Sequence, residues 1–310
     1  MKILYLGPKQ GFETIQQNLS KNITIKNCLA NRKILTNEIK DADGLIDASM
    51  KVPIDLKILK SSKKLKVIST ATTGSDHIDI QSAESMGINV LTLKNDKDLL
   101  RNLTPAAELT WALLMNVARK VISASKHVNN GSWVRENFPG IMLKDKTLGI
   151  VGCGRIGQWI SKYGNAFGMN VQGYDPFVKP WPNQIKRKSL EELFVSSDFI
   201  TIHVHLTKDT RKLINSRLMG TIKPGAVLIN TSRGGLIDEK ALLKALISKR
   251  LSGAGLDVLD GEPNISNHPL VNYARKNDNL IITPHCGGFS LDALQLVCQR
   301  AFDKAVTYLD

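Results

Sequence analysis

The sequence predicts an α/β protein built from two doubly wound parallel-sheet domains. Three observations carry this. Short apolar runs alternate with helix-like runs along almost the whole chain, the pattern of parallel strands covered by helices. The length of 310 residues suits about two domains of ~150 residues each. Gly152-Cys-Gly-Arg-Ile-Gly157 follows the apolar run Leu148 to Val151 and precedes the amphipathic stretch Arg155 to Phe167. That places a glycine turn between a strand and a helix.

In the first half, Ile3 to Leu6, Ile23 to Lys26, Gly44 to Asp47, Val67 to Thr70 and Asn89 to Leu93 read as strands. Phe12 to Leu19, Ile54 to Lys60 and Ile80 to Met86 read as helices. The strongest helix runs from Pro105 to Arg119, with Thr104 as N-cap, Pro105 in the first helical position and Glu108 in the first turn. It is apolar nearly all round, so it should be buried within the subunit or against a second one. Asn129 to Lys144, with Gly131, Pro139 and Gly140, reads as a long loop. In the second half, strands are expected at Leu148 to Gly152, Asn170 to Tyr174, Phe199 to His203, Ala226 to Asn230, Gly253 to Asp257 and Leu280 to Thr283. Helices are expected at Arg155 to Phe167, Leu190 to Val195, Asn215 to Thr221, Glu239 to Lys249 and Leu291 to Leu309.

Composition narrows the class. The chain is 42% hydrophobic and 23% charged, ordinary for a soluble globular protein. No apolar run approaches the ~20 residues needed to span a bilayer, so no membrane role is expected. Met1 to Gly7 is too short and too quickly polar for a signal peptide and reads as a first strand. The 4 cysteines match no metal or disulfide framework, and no metal is expected. Cys153 inside the glycine loop suits a reducing compartment, hence the cytoplasm. The net charge of +14 raises the question of nucleic acid. The densest run, Lys57, Lys60, Lys63, Lys64 and Lys66, has the spacing of a solvated helical face, so nucleic acid is not expected. Positive potential also raises the on-rate of anionic substrates.

The glycine turn carries the first functional expectation. Gly152 permits a sharp turn, Gly154 lets backbone approach a pyrophosphate, and Gly157 lets the helix pack on the sheet. The helix start offers amides to phosphate. Asp175, at the end of the next strand, is placed to accept hydrogen bonds from a ribose 2′-hydroxyl. This is the Rossmann fingerprint, and the cofactor expected is NAD.

Three more residues stand at the carboxyl ends of later strands: Arg233, Glu262 and His285. Ligands of open α/β sheets bind at those ends. Arginine holds a carboxylate through paired hydrogen bonds, histidine moves a proton near neutral pH, and glutamate stabilises the imidazolium. Singly, they read equally well as a turn cap, a surface-loop acid and an interior histidine. Together they suit hydride chemistry on a hydroxyl carbon.

With these residues the chain resembles the D-isomer-specific 2-hydroxyacid dehydrogenases. The motifs are Gly74-Ser-Asp-His-Ile-Asp79, Lys146 to Gly157, His203-Val-His-Leu-Thr207, Asn230-Thr-Ser-Arg-Gly234, Asp257-Val, Glu262-Pro263 and Pro284-His-Cys-Gly-Gly288. It looks closest to the phosphoglycerate dehydrogenase-like branch. The resemblance implies a Rossmann NAD domain, residues 101–284, inserted into a flavodoxin-like substrate domain, residues 1–100 and 285–310, with the site in the cleft between them. It implies Arg233, Glu262 and His285 as the catalytic trio. Thr73 and Gly74, with Arg233, would hold the substrate. Gly152, Gly154, Arg155, Ile156, Gly157, Asp175, His203, Thr207, Thr231, Ser232, Asp257 and Gly287 would line the cofactor. It also supports a homodimer. The chain ends at Asp310, so no regulatory domain is expected.

Two departures from the family pattern bear on specificity. His205 stands where the family usually has proline. Ser69-Thr-Ala-Thr-Thr-Gly74 lacks the arginine that phosphoglycerate-binding members tend to carry. Lys94 is the nearest candidate cation in that half, and reads equally as a solvated loop lysine. The expected activity is NAD-dependent oxidation or reduction of a 2-hydroxy or 2-keto acid, the particular acid left open. The alternatives are an NAD(H)-sensing, corepressor-like binding protein on the same fold and phosphoglycerate dehydrogenase proper.

Overall fold

A computed structural model describes residues 1–310 and divides them into two compact units, Met1–Leu103 with Phe289–Asp310, and Thr104–Gly288. The first unit contains β1 (Lys2–Leu6), α1 (Lys9–Gln17), β2 (Thr24–Cys28), α2 (Arg32–Glu38), β3 (Gly44–Asp47), α3 (Leu56–Leu59), β4 (Val67–Thr70), α4 (Ile80–Ser85), β5 (Asn89–Leu91) and α5 (Lys97–Arg101). The second contains α6 (Pro105–Arg119), α7 (Val121–Asn129), β6 (Thr147–Val151), α8 (Arg155–Ala166), β7 (Asn170–Tyr174), β8 (Lys186–Arg187), α9 (Leu190–Ser196), β9 (Phe199–Ile202), α10 (Ser216–Thr221), β10 (Ala226–Asn230), α11 (Glu239–Ile247), β11 (Leu251–Leu256), α12 (Pro269–Ala274) and β12 (Leu280–Ile282). The last helix, α13 (Leu291–Leu309), returns to the first unit.

Both sheets are wholly parallel. The first has the order β2-β1-β3-β4-β5, the flavodoxin-like arrangement. The second has the order β12-β11-β10-β9-β6-β7-β8. Counted from β6, that is the Rossmann order with one added strand. Parallel strands covered on both faces bury nearly every side chain, which explains their continuous apolar runs. Ile3 to Leu6, Leu148 to Val151 and Val227 to Ile229 are all buried. In each sheet the winding reverses beside the first strand, between β1 and β3 and between β6 and β9. Crevices for ligands open at the carboxyl ends there.

Several elements depart from the sequence reading. The expected helix from Ile54 starts only at Leu56, because Asp55 caps it and Ile54 pairs with Ile78 in a parallel bridge. The strand expected to reach Leu93 stops at Leu91, where Thr92 caps a single turn, Leu93–Asn95. α2, α5, α7 and α12 lie outside the expected set. α2 buries only Leu35, and α7 buries nothing. α7 begins where Lys120 takes a left-handed backbone, φ 52°, directly after α6. Thr104 precedes α6 as expected, but its hydroxyl bonds the Glu108 carboxylate instead of a backbone amide. α6 packs on α8 and on β10 and β11, so its apolar surface is partly accounted for within its own unit. Lys57, Lys60, Lys63, Lys64 and Lys66 are all exposed, although only Lys57 lies within a helix. No helix is long and apolar enough to cross a membrane.

The second boundary falls between Gly288 and Phe289, so His285 belongs with the second unit. Its loop is tied there by hydrogen bonds to Asp257.

Candidate active site

The turn after β6 has the form a pyrophosphate requires. Gly152 has φ +94°, and a Cβ on it would stand 2.4 Å from the His203 carbonyl oxygen. A Cβ on Gly157 would stand 2.1 Å from the Gly152 oxygen, so helix and turn touch backbone to backbone. A Cβ on Gly154 would meet nothing within 4 Å: the turn is open on that side. α8 starts at Arg155 and Ile156, and the first amides of a helix lack partners within it. The three glycines therefore divide into two that hold the turn and one that leaves room. The residues fit a dinucleotide.

Asp175, at the end of β7, accepts from the Cys153 amide at 2.9 Å and from the Phe177 and Val178 amides at 2.8 and 3.1 Å. It ties its own loop to the glycine turn while remaining partly exposed. Cys153 is buried beneath it. Burial and the Asp175 charge push its thiol up to about 12, so it is packing, not a nucleophile. His203, after β9, has both ring nitrogens buried without a protein partner, and burial pulls the ring down to about 3. The ring is neutral. Thr207 sits in an exposed loop that replaces the family's proline-containing turn. Its hydroxyl lies 3.1 Å from that of Thr210, which donates to the His205 carbonyl at 2.6 Å. Hydroxyl bonds shape this loop around His205.

The loop after β10 carries Arg233, and buried Asn230 braces it. The Asn230 side chain accepts from the Ser232 amide at 3.0 Å and donates to the Arg233 carbonyl at 2.9 Å. Ser232 donates to the Ile202 carbonyl and Thr231 bonds Thr110 on α6, at 2.8 and 2.7 Å. Gly234 then lies against the backbone of the next loop: a Cβ there would stand 2.1 Å from the Asp260 nitrogen. The Arg233 loop and the Glu262 loop are interlocked at that point.

Glu262 and His285 come together directly. One carboxylate oxygen bonds His285 Nδ1, and the other accepts from the Leu259 amide at 3.1 Å. Their side chains are 30% and 27% exposed, open enough to exchange a proton. His285 has a left-handed backbone, φ 54°, set by the loop that Asp257 anchors. Asp257 is 1% exposed. It accepts from the Thr283 hydroxyl at 2.6 Å and from the Cys286 and Gly287 amides at 2.9 and 2.7 Å. Asp257 is thus the anchor of the His285 loop. Gly287 is needed for its close approach, since a Cβ there would meet the Asp257 carboxylate at 3.0 Å. Burial, then Asp257, pushes the Cys286 thiol up.

In the first unit, the Thr72 hydroxyl donates to the Gly74 carbonyl at 2.7 Å, and the Thr70 hydroxyl to the Thr72 carbonyl at 3.0 Å. The Thr73 and Gly74 amides have no partner within the protein. Lys94 is exposed. Asn230 and Gly234 stood within a motif quoted from the sequence but were given no role there. The available signal was a polar residue ending an otherwise apolar strand, and a second glycine directly after the arginine.

A Rossmann sheet with a glycine turn open to a pyrophosphate defines the class of a dinucleotide-binding domain, here with an acid–imidazole pair at its strand ends. Residues 111–287 match the model of the NAD-binding domain of the D-isomer specific 2-hydroxyacid dehydrogenases, and the chain belongs to that family. It is 40% identical over 267 residues to D-3-phosphoglycerate dehydrogenase of Methanocaldococcus jannaschii, 84% of this chain and 48% of that protein. It is 31% identical over 308 residues to glyoxylate reductase of Korarchaeum cryptofilum, 97% of this chain and 90% of that protein. The chain thus spans about half the length of the phosphoglycerate dehydrogenase relatives. Among solved structures it resembles Aquifex aeolicus D-lactate dehydrogenase complexed with NAD and lactic acid. There the TM-score is 0.86 at 27% identity, covering 99% of this chain and 95% of that one.

Proposed function

We propose that the protein is an NAD-dependent dehydrogenase that interconverts a D-2-hydroxy acid and its 2-keto acid, with His285 as acid and base. The Glu262–His285 pair carries this reading. Bound NAD supplies the chemistry of hydride transfer at the nicotinamide ring. The glycine turn, Arg155, Ile156 and Asp175 would hold it, with His203, Thr207, Thr231, Ser232 and Gly287 around it. Glu262 engages Nδ1 of His285, which leaves Nε2 to protonate the forming alkoxide in reduction and to take the proton back in oxidation. Reduction needs the imidazolium and oxidation the neutral ring. Arg233 polarises the keto oxygen and anchors the carboxylate.

The substrates favoured are short 2-keto acids such as glyoxylate and hydroxypyruvate. The Ser69–Gly74 turn offers amides and no cation for a phosphate, and one full-length relative is named a glyoxylate reductase. Phosphoglycerate is the second reading, supported by the relatives of that name. NADH oxidation with glyoxylate, hydroxypyruvate and phosphohydroxypyruvate tests both, before and after Lys94→Ala. We expect the two short acids to lead. A strong preference for the phosphorylated acid that survives Lys94→Ala overturns the substrate assignment. NADH binding with no turnover on any acid replaces the enzyme with a nucleotide-sensing binding protein.

A homodimer in the cytoplasm completes the proposal. Val121, Ile122, Val128, Trp133, Val134 and Met142 are exposed within one short stretch, an apolar surface that a two-fold partner would cover. All 4 cysteines are free, as suits a reducing compartment. Light scattering at the mass of one chain would reject the dimer.

A further inference from the structure

A second acid–imidazole pair lies behind the first. Glu239 is the first residue of α11, where an acid ordinarily faces solvent and favours the helix dipole. Here its side chain is only 16% exposed and turns back toward the loop that carries Glu262. One oxygen accepts from the Asp260 amide at 2.9 Å. The other accepts from His268 Nε2 at 2.9 Å, and the His268 ring is 11% exposed. His268 caps α12, its Nδ1 accepting from the Leu270 amide at 3.3 Å. These contacts select one tautomer, with the proton on Nε2. Each polar atom then has one partner and one direction of donation: His268 to Glu239, and the Asp260 amide to Glu239.

The loop at the end of this relay has little other freedom. The backbone of Leu259 and Asp260 rests against Gly234, with no room for a Cβ. The Asp260 side chain faces Arg211 at 3.6 Å, a pair about half-exposed and therefore weak. The Leu259 amide donates to Glu262, whose other oxygen meets His285. A displaced Asp260 therefore displaces the turn that aims Glu262. Burial pushes the Glu239 carboxyl up, and the Asp260 amide and His268 oppose that, so loss of either contact makes its charge harder to keep.

We propose that Glu239 and His268 are positioning residues for the reaction: they hold the Leu259–Glu262 turn in the register that points Glu262 at Nδ1 of His285. This rests on the assignment of His285 as the proton donor. Neither residue touches the reacting atoms. Their effect reaches the chemistry through the alignment of one carboxylate, and misplacement by a fraction of an ångström weakens stabilisation of the imidazolium.

The test follows the His285 imidazole by NMR across pH in the NADH-bound protein, together with the pH profile of reduction. Glu262→Gln is the reference. Removing its charge destabilises the imidazolium, so the titration midpoint and the reductive limb move to lower pH. Glu239→Ala and His268→Asn should move both in the same direction by less, about 0.5 pH unit. They should lower kcat on the order of tenfold with the KM for NADH unchanged. His268→Asn keeps an acceptor for the Leu270 amide, so it separates capping of α12 from contact with Glu239. Glu239→Gln keeps an acceptor for the Asp260 amide and should recover part of the loss. If Glu239→Ala does not fold, His268→Asn and Glu239→Gln carry the same comparison. A midpoint moved by Glu262→Gln but unmoved by the folded Glu239 and His268 variants overturns the positioning role alone. A midpoint unmoved by Glu262→Gln as well overturns the Glu262–His285 pairing, and the proposal with it.

Discussion

Each unit has an acid–imidazole pair where its strands end, and the two pairs differ in exposure. In the first unit Asp47, at the end of β3, meets His77 Nε2 at 3.0 Å, and the two side chains are 0% and 10% exposed. The other Asp47 oxygen accepts from the Ser49 and Met50 amides at 2.8 and 3.1 Å. Every contact there is internal, so the pair braces two loops against each other. In the second unit the Glu262 and His285 side chains are 30% and 27% exposed. The same two kinds of group, left open to solvent, can pass a proton to something outside the protein. Residue type sets what a pair can do, and burial decides whether it is free to exchange a proton.

The sharpest break of this contrast is His285→Asn. Loss of the general acid should lower turnover ~10²–10⁴-fold while NADH still binds. Turnover near the normal rate on a confirmed substrate would remove His285 as donor. His77→Leu should do the opposite. It strands the buried Asp47 carboxylate and should lower stability by about 3 kcal/mol, seen as a shifted denaturant midpoint. A fully stable variant would show that Asp47 needs no partner.

Gly234→Ala forces a Cβ into the Leu259–Asp260 backbone and should move the Glu262 loop. The expected loss of kcat is ~10–100-fold, with the glycine turn still able to bind NADH. Unchanged kcat would mean that the two loops are not interlocked. The smallest effect belongs to Asp96, another acid of the first unit. Burial would raise its carboxyl, but hydrogen bonds from Lys304 and Arg300 outweigh that and hold it below the usual range. Such a group stabilises the fold above the unfolded carboxyl value of ~4 and loses that contribution as pH falls through its lowered value. Asp96→Asn should therefore cost about 1 kcal/mol at pH 7, since Arg300 is half-exposed, and nothing in strong acid. Melting curves that differ equally at both pH values would contradict it.

Much of this was legible in the sequence where chemistry restricts residue choice. Gly152 and Gly157 had to be glycine for reasons that the turn bears out in φ and in space, and Gly154 leaves the turn open. Asp175 and the Arg233, Glu262 and His285 trio stood at strand ends, where an α/β sheet presents its ligands. Less visible were groups whose role depends on a distant partner. Glu239 reads as an ordinary first-turn acid until Asp260 and His268 fold onto it. Asn230 reads as the polar end of a strand until its side chain closes the Arg233 loop. α7 escaped although Val121, Ala124 and Val128 recur at helical spacing, because it follows α6 with only Lys120 between them and buries none of its residues. That Asp257 anchors the His285 loop was not legible either, since sequence places a residue at a strand end without saying which way its side chain turns.

One last consequence concerns the order in which the chain is made. One face of the first sheet is covered by the helix at the far end of the polypeptide: Leu294, Cys298, Ala301, Phe302 and Ala305 of α13 pack among Ile3, Tyr5, Ile46 and Val67. A ribosome that has delivered Leu103 has made every strand of that sheet but not its cover. The second unit, continuous from Thr104 to Gly288, has all its own residues before α13 emerges. The inserted unit should therefore fold first during synthesis, while the earlier one waits with that face covered only by α1. Nascent chains stalled so that residue 288 has just left the exit tunnel should show a protease-resistant second unit and a digestible first one. Equal resistance of both would show that the sheet folds without its covering helix.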